Sequence, residues 1–142
     1  MKRLLALLLL PALGGCTVVG ASATWSSSAC PAGMQAAQRA ELYMGRGLRS
    51  GGEISTADID AFVAGTLAPA FPDGFSLIQA RGQWRAADGH VARESSLVAI
   101  VLLPGATGEQ ARDQISPVAE AWRRRFGQES VLKVIGPSCI AF

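Results

Sequence analysis

Apolar and polar positions repeat with two different periods along residues 30–142, and their succession predicts an element order. Arg39–Met44 reads as a strand. Ile54-Ser55-Thr56-Ala57-Asp58-Ile59 carries a helix start: Ser55 is the cap, Asp58 the capping-box partner, and Ile54 and Ile59 the hydrophobic staple. Ile59, Phe62, Val63, Thr66 and Leu67 then share one face, and Pro69 is expected to end the helix. Pro72-Asp73-Gly74 turns the chain. Phe75–Arg85 and Val91–Leu103 read as strands joined by a hairpin turn at Ala87-Asp88-Gly89-His90. Thr107, with Gln110 as box partner, caps a second helix whose stripe is Ala111, Ile115, Val118, Trp122 and Phe126. Pro117 lies inside it; the lost hydrogen bond and ring clash predict a kink or a later start. Arg123-Arg124-Arg125 occupy the last turn and Gly127 stops it. Ser130–Ile135 is the final strand, and Pro137 punctuates the tail.

The order is β-α-β-β-α-β, which predicts a ferredoxin-like α+β fold: a four-stranded antiparallel sheet with two helices on one face. Strand 1 is then central, with strand 4 antiparallel beside it. That placement brings Cys30, before strand 1, to Cys139, after strand 4, and predicts a disulfide in an oxidising compartment. In the long third strand Leu97, Ala99, Val101 and Leu103 point one way, and Val98, Ile100 and Leu102 the other. Both sides are apolar, yet helices cover one. The open side therefore needs a second subunit, a segment of the chain itself, or a ligand. Related βαββαβ proteins pair sheet to sheet, an analogy that makes a homodimer a candidate.

Residues before this domain follow another logic. Lys2 and Arg3 precede the apolar run Leu4–Leu10 and the small residues of Ala12-Leu13-Gly14-Gly15, the pattern of a secretory signal peptide. The run is too short to span a hydrocarbon core of about 30 Å. Leu13-Gly14-Gly15-Cys16 resembles the lipobox of bacterial lipoproteins. The resemblance implies removal of residues 1–15, lipidation of Cys16, and a membrane anchor on the periplasmic side of the cell envelope. Thr17 after the cysteine favours the outer membrane, by analogy with the enterobacterial sorting rule. Residues 16–29 then form the lipidated terminus and a flexible tether, small, polar and nearly uncharged apart from Trp25. The division is 1–15 signal peptide, 16–29 tether, and 30–142 one domain.

Charge follows from that division. The chain has 13 basic and 11 acidic residues, but without Lys2 and Arg3 the two counts are equal. No basic excess remains for phosphate neutralisation, so nucleic acid is not an expected partner. A single histidine excludes multi-histidine metal sites. No Cys-x-x-Cys, G-x-S-x-G or Ca²⁺-loop pattern occurs, and no cofactor is implied. Gly45–Gly52 departs from the dinucleotide and Walker spacings and reads as a mobile surface loop. His90 reads as a solvated turn residue.

Four blocks together resemble an uncharacterised family of small exported bacterial proteins known only as a domain of unknown function. They are Glu41-Leu42-Tyr43-Met44-Gly45, Phe71-Pro72-Asp73-Gly74-Phe75, Ala80-Arg81-Gly82-Gln83-Trp84-Arg85 and Arg93-Glu94-Ser95-Ser96. The resemblance spans about Cys30 to Phe142 and implies a class without a mechanism.

The third block suggests chemistry of its own. Alternation puts Arg81, Gln83 and Arg85 on one face and Gly82 and Trp84 on the other. A hairpin closed at Asp88-Gly89 pairs odd positions with even ones, so Glu94 is expected to face with Arg81 and Gln83. It lies opposite Arg81 with a four-residue loop and opposite Gln83 with a two-residue loop. On a solvated face this is an ion pair worth under about 1 kcal/mol. In a hollow, with Tyr43 from the neighbouring strand, it is a pocket for an anionic or hydrogen-bonding small molecule. Arg81 supplies a bidentate fork, Gln83 a neutral donor and acceptor, and Tyr43 a hydroxyl. The leading expectation is a non-catalytic, membrane-anchored binding or interaction module. The alternative is a small metal-independent periplasmic enzyme in which Arg81 orients an anion and Glu94 or Tyr43 moves a proton.

Overall fold

The computed structural model describes residues 30–85 and 88–142. The expected signal peptide, lipidated Cys16 and tether lie outside the described residues, as does Ala87 of the hairpin turn. The elements are β1 (Gln35–Gly45), α1 (Thr56–Phe62), a π-helical turn (Val63–Leu67), α2 (Ala68–Ala70), β2 (Ser76–Arg85), β3 (Val91–Pro104), α3 (Gly108–Phe126) and β4 (Leu132–Ile140). The sheet is antiparallel in the order β2-β3-β1-β4. This is the ferredoxin-like α+β arrangement, with β1 central and β4 beside it.

Local signals account for the helix starts. The Ser55 hydroxyl accepts the Asp58 N–H at 3.1 Å, and both staple residues, Ile54 and Ile59, are buried. Thr107 accepts the Gln110 N–H, and the Gln110 side chain accepts the Thr107 N–H. Two expectations about proline are corrected. The first helical segment does not stop at Pro69; the ladder widens into a π-turn and continues to Ala70. The wider turn relieves the ring clash with the carbonyl four residues earlier. Nor does Pro117 delay α3, which starts at Gly108 and runs to Phe126. The box at Thr107 secures the first turn, and the buried stripe Ala111, Ile115, Val118, Ala119 and Trp122 continues past the proline on the other side. Gly127 closes the helix with φ 65°, a left-handed position that favours glycine.

The core lies between the sheet and the helices. Ala40, Leu42 and Met44 of β1 and Leu97, Ala99 and Val101 of β3 meet the helical layer. Phe62, Trp122 and Phe126 form an aromatic cluster, with the Phe62 ring edge-on to Trp122 at 5.0 Å. The final strand also departs from expectation: it runs through Pro137 to Ile140. An edge strand tolerates a missing N–H, so Pro137 does not end the pairing. That extension sets Cys139 opposite Ala36, and Cys139 meets Cys30 at disulfide distance, with the Cα atoms 5.6 Å apart.

Candidate functional site

The hairpin register decides which side chains share a face. Arg85 pairs with Val91, leaving residues 86–90 as a five-residue connection. An odd connection pairs like parities, so Gly82 faces Glu94, Gln83 faces Arg93 and Arg81 faces Ser95. The expectation that Glu94 faces the same way as Arg81 and Gln83 is therefore corrected, although all three border one hollow. A one-residue change in register moves a side chain to the opposite face. Glu94 projects from the open face, with Tyr43 and Trp84, while Arg81 and Gln83 project from the helix-bearing face. No Arg81–Glu94 ion pair forms among the described residues.

At one end of the open face the sheet holds a groove of about 1040 Å³. Its floor is made by Tyr43 and Gly45 of β1, Gly82 and Trp84 of β2, and Glu94 and Ser96 of β3. The rim comes from the loops around Gly47–Arg49 and Gly127–Ser130. The glycine-rich segment expected to be a mobile surface loop is tied back on itself. Gly47 bridges Glu53, and the Leu48 N–H donates to the Gly52 carbonyl at 3.0 Å.

The Glu94 carboxylate lies against two glycines. A Cβ at Gly45 would sit 2.9 Å from Glu94 Oε1, and one at Gly47 3.2 Å from Oε2. The same segment is fixed from the helix side. Trp122 Nε1 donates to the Gly45 carbonyl at 3.1 Å, and Gln128 Nε2 to the Gly47 carbonyl at 2.7 Å. Among the described residues Glu94 is half-buried and has no salt-bridge partner. Its carboxylate is free to receive donors from a ligand.

Tyr43 is committed differently. Its hydroxyl donates to Glu41, which also accepts Arg39 Nε at 2.7 Å. The Tyr43 hydrogen bond, then the Arg39 guanidinium, hold the Glu41 carboxyl below the usual carboxylate range. The same Glu41 contact pushes the Tyr43 phenol up, so it stays protonated at neutral pH. Tyr43 therefore presents its ring to the groove while its hydroxyl serves the neighbouring carboxylate.

Gln83 borders the groove, but its Oε1 accepts Arg93 Nε at 3.2 Å on the other face. Arg81 lies in an adjoining hollow of about 530 Å³ with Glu53 and Ser95, and Gly82, Gln83, Arg93 and Glu94 border both hollows. Asp88 and His90 also border the groove, and Asp88 accepts the His90 backbone N–H at 3.1 Å. The His90 backbone, then its ring, hold the Asp88 carboxyl below its ordinary value. The sequence reading found Tyr43 and Glu94 and missed Trp84, Gly45, Gly47 and Gln128 as parts of one site. Trp84 and Gly45 stood in the quoted blocks. Gln128 gave no signal, because it reaches the site only through the end of α3. Among the described residues no group of three His, Cys, Asp or Glu side chains is placed to hold a metal ion. No described helix is long and apolar enough to cross a membrane.

A family model described as "Protein of unknown function (DUF3574)" matches residues 39–142. No curated protein matches. Among solved structures, a phage SAM lyase in complex with S-methyl-5'-thioadenosine is similar at 19% identity and TM-score 0.58, covering 75% of this chain and 90% of its own. A phage SAM lyase in the apo state is similar at 17% identity and TM-score 0.55, covering 82% and 97%. At these identities the likeness is one of fold.

Proposed function

The chain belongs to the DUF3574 family of proteins of unknown function, and we propose that this member is a lipid-anchored envelope domain that binds a nucleoside-type small molecule in its open-face groove. The observation that carries this reading is the Glu94 carboxylate, without a salt bridge among the described residues, in a groove that Trp84 and Tyr43 also line. A half-buried carboxylate with no ion-pair partner favours a ligand that brings hydroxyl or amino donors. Trp84 and Tyr43 offer flat apolar surfaces for a ring, and Ser96 and Gln128 add neutral polar groups. A nucleoside has all of these parts, and one neighbour in fold holds S-methyl-5'-thioadenosine. The anchor is read from the Lys2–Cys16 pattern: acylated Cys16 holds the domain to the envelope, on the periplasmic side and with the outer membrane favoured.

Two experiments test the two halves. Titration calorimetry with S-methyl-5'-thioadenosine and with adenosine is expected to show binding that Glu94→Gln weakens at least tenfold. No heat from either compound, or binding indifferent to Glu94→Gln, overturns the ligand reading. Acyl labelling and membrane fractionation are expected to be lost in Cys16→Ser; if both survive, the anchor is wrong.

A second reading, an enzyme acting on the bound molecule, is favoured by one observation: Glu94 and Tyr43 border the same groove. Arg81 starts from the other face of the sheet and does not line this groove; it lines the adjoining hollow, which Glu94 also borders. Glu94 alone is then the proton carrier, since the Tyr43 proton is engaged by Glu41. Turnover of the bound nucleoside, abolished by Glu94→Gln, would distinguish this reading from simple binding.

A further inference from the structure

We infer that the hollow adjoining the groove binds a phosphate-type dianion, gripped by Arg81 and Arg93 on the helix-bearing face of the β2–β3 hairpin. Among the described residues four arginines, Arg81, Arg85, Arg93 and Arg125, have no salt-bridge partner. Three of the four stand together on one face of this hairpin. Gln83 lies opposite Arg93, so Arg81 and Arg85 are each one diagonal step from Arg93. Diagonal neighbours are about 7–8 Å apart, and like charges so placed repel. An anion seated among them removes that repulsion.

The carboxylates around the hollow are engaged or turned elsewhere. Glu53 is held by Arg46 at 3.4 Å. Glu94 borders the hollow but projects from the opposite face of the sheet. The donors that remain match phosphate. Gln83 Oε1 accepts Arg93 Nε at 3.2 Å, which steadies the guanidinium and leaves its two terminal nitrogens without a partner among the described residues. Arg81 offers its fork, and Ser95, directly opposite on β3, offers a hydroxyl. Arg85 donates back to the Gly89 carbonyl at 2.9 Å and so adds charge rather than contact. A phosphate monoester carries three acceptor oxygens and about two negative charges, so it can occupy two forks at once.

The hollow is continuous with the groove. The last β1–β3 pair is Gly45–Ser96, so Arg93 and Glu94 have a partner strand on one side only, that of β2. Gly82, Gln83, Arg93 and Glu94 border both spaces. A molecule with its neutral part at Glu94 and Trp84 therefore meets the arginines through a phosphate a few atoms away. In that form the inference rests on the groove reading and makes the ligand a nucleotide. A separate phosphate-bearing molecule is the other source of the same chemistry.

The test uses the ¹⁵N-labelled chain carrying Cys16→Ser, titrated with inorganic phosphate at about pH 8, where the dianion dominates. The Arg81 and Arg93 Nε–Hε signals are expected to shift together and saturate, while those of Arg112 and Arg123, each already ion-paired, stay in place. Arg81→Gln and Arg93→Gln should each weaken binding at least fivefold, and Arg125→Gln should leave it unchanged. No saturable shift at Arg81 and Arg93, or equal weakening by Arg125→Gln, overturns the inference. Adenosine and adenosine 5'-monophosphate then separate the sources. A monophosphate that binds at least tenfold tighter than adenosine, with the advantage lost in Arg81→Gln, places the phosphate on the groove's ligand. An advantage indifferent to Arg81→Gln counts against the site. Phosphate that saturates the arginines while the nucleotide gains nothing over it assigns the site to a separate molecule. Adenosine that fails to bind while phosphate saturates overturns the groove reading and leaves this site standing.

Discussion

Removing the Cys30–Cys139 link is the perturbation whose size the structure fixes best. The two cysteines are 109 residues apart in sequence, so the bridge closes nearly the whole described domain. Restricting a loop of that length lowers the unfolded chain's entropy by an amount worth about 4.8 kcal/mol at 25 °C in the chain-entropy treatment. Domains of this size are stable by only about 5–15 kcal/mol, so the bridge accounts for a large share. With a urea dependence of roughly 1.5 kcal/mol per molar, its loss lowers the midpoint by about 3 M. The assay is urea unfolding of oxidised protein, reduced protein and the Cys30→Ser/Cys139→Ser variant, followed by far-ultraviolet circular dichroism. Reduced protein and the variant should agree with each other and fall well below the oxidised form. Equal midpoints for all three would refute the reasoning, since geometry would then have joined the strand ends without restricting the unfolded chain.

Other consequences are measurable. Tyr43 is the only tyrosine in the chain, so absorbance near 295 nm reports its ionisation alone. The midpoint is expected above the ordinary value of 10, and Glu41→Gln should lower it. Carbon-detected magnetic resonance should place the Glu41 carboxyl midpoint below 4.5, and Tyr43→Phe should move it up. Because Glu41, Asp88 and Glu120 all have lowered values in the folded state, their stabilisation is complete above their unfolded values. It is lost as pH falls through the folded ones. Acid should therefore weaken the fold below about pH 4.5, and a flat urea midpoint from pH 6 to pH 3 would contradict that. Gly45→Ala sets a Cβ against the flexible ends of Glu94 and Gln128, which can swing aside, so urea unfolding should show a cost under about 1 kcal/mol while ligand binding at Glu94 weakens. A large loss of stability would show that the carboxylate is held rigidly.

What the sequence made legible was local or topological. Ser55 with Asp58 and Thr107 with Gln110 announce their helices because a cap and its partner lie three residues apart. The cysteine pairing followed from strand order alone. What stayed hidden depended on counting or on context. The hairpin register turns on whether four or five residues connect β2 to β3, and that one residue moved Arg81 away from Glu94. Pro137 reads as a stop unless its strand is known to be at an edge. Pro117 and Pro69 were tolerated because packing on either side outweighs one missing hydrogen bond. Part of the site was visible in Tyr43 and Glu94. The rest was not, because Gln128 and Gly47 meet only after α3 returns to the end of β1.

The groove reading is tested most directly by mapping amide shifts of ¹⁵N-labelled protein during titration with S-methyl-5'-thioadenosine. The account predicts that the amides of Gly45, Gly82, Trp84, Glu94 and Ser96 and the Trp84 indole move together and saturate. Shifts confined to Glu53, Arg81 and Ser95, which line only the adjoining hollow, or no shifts at all, would contradict it.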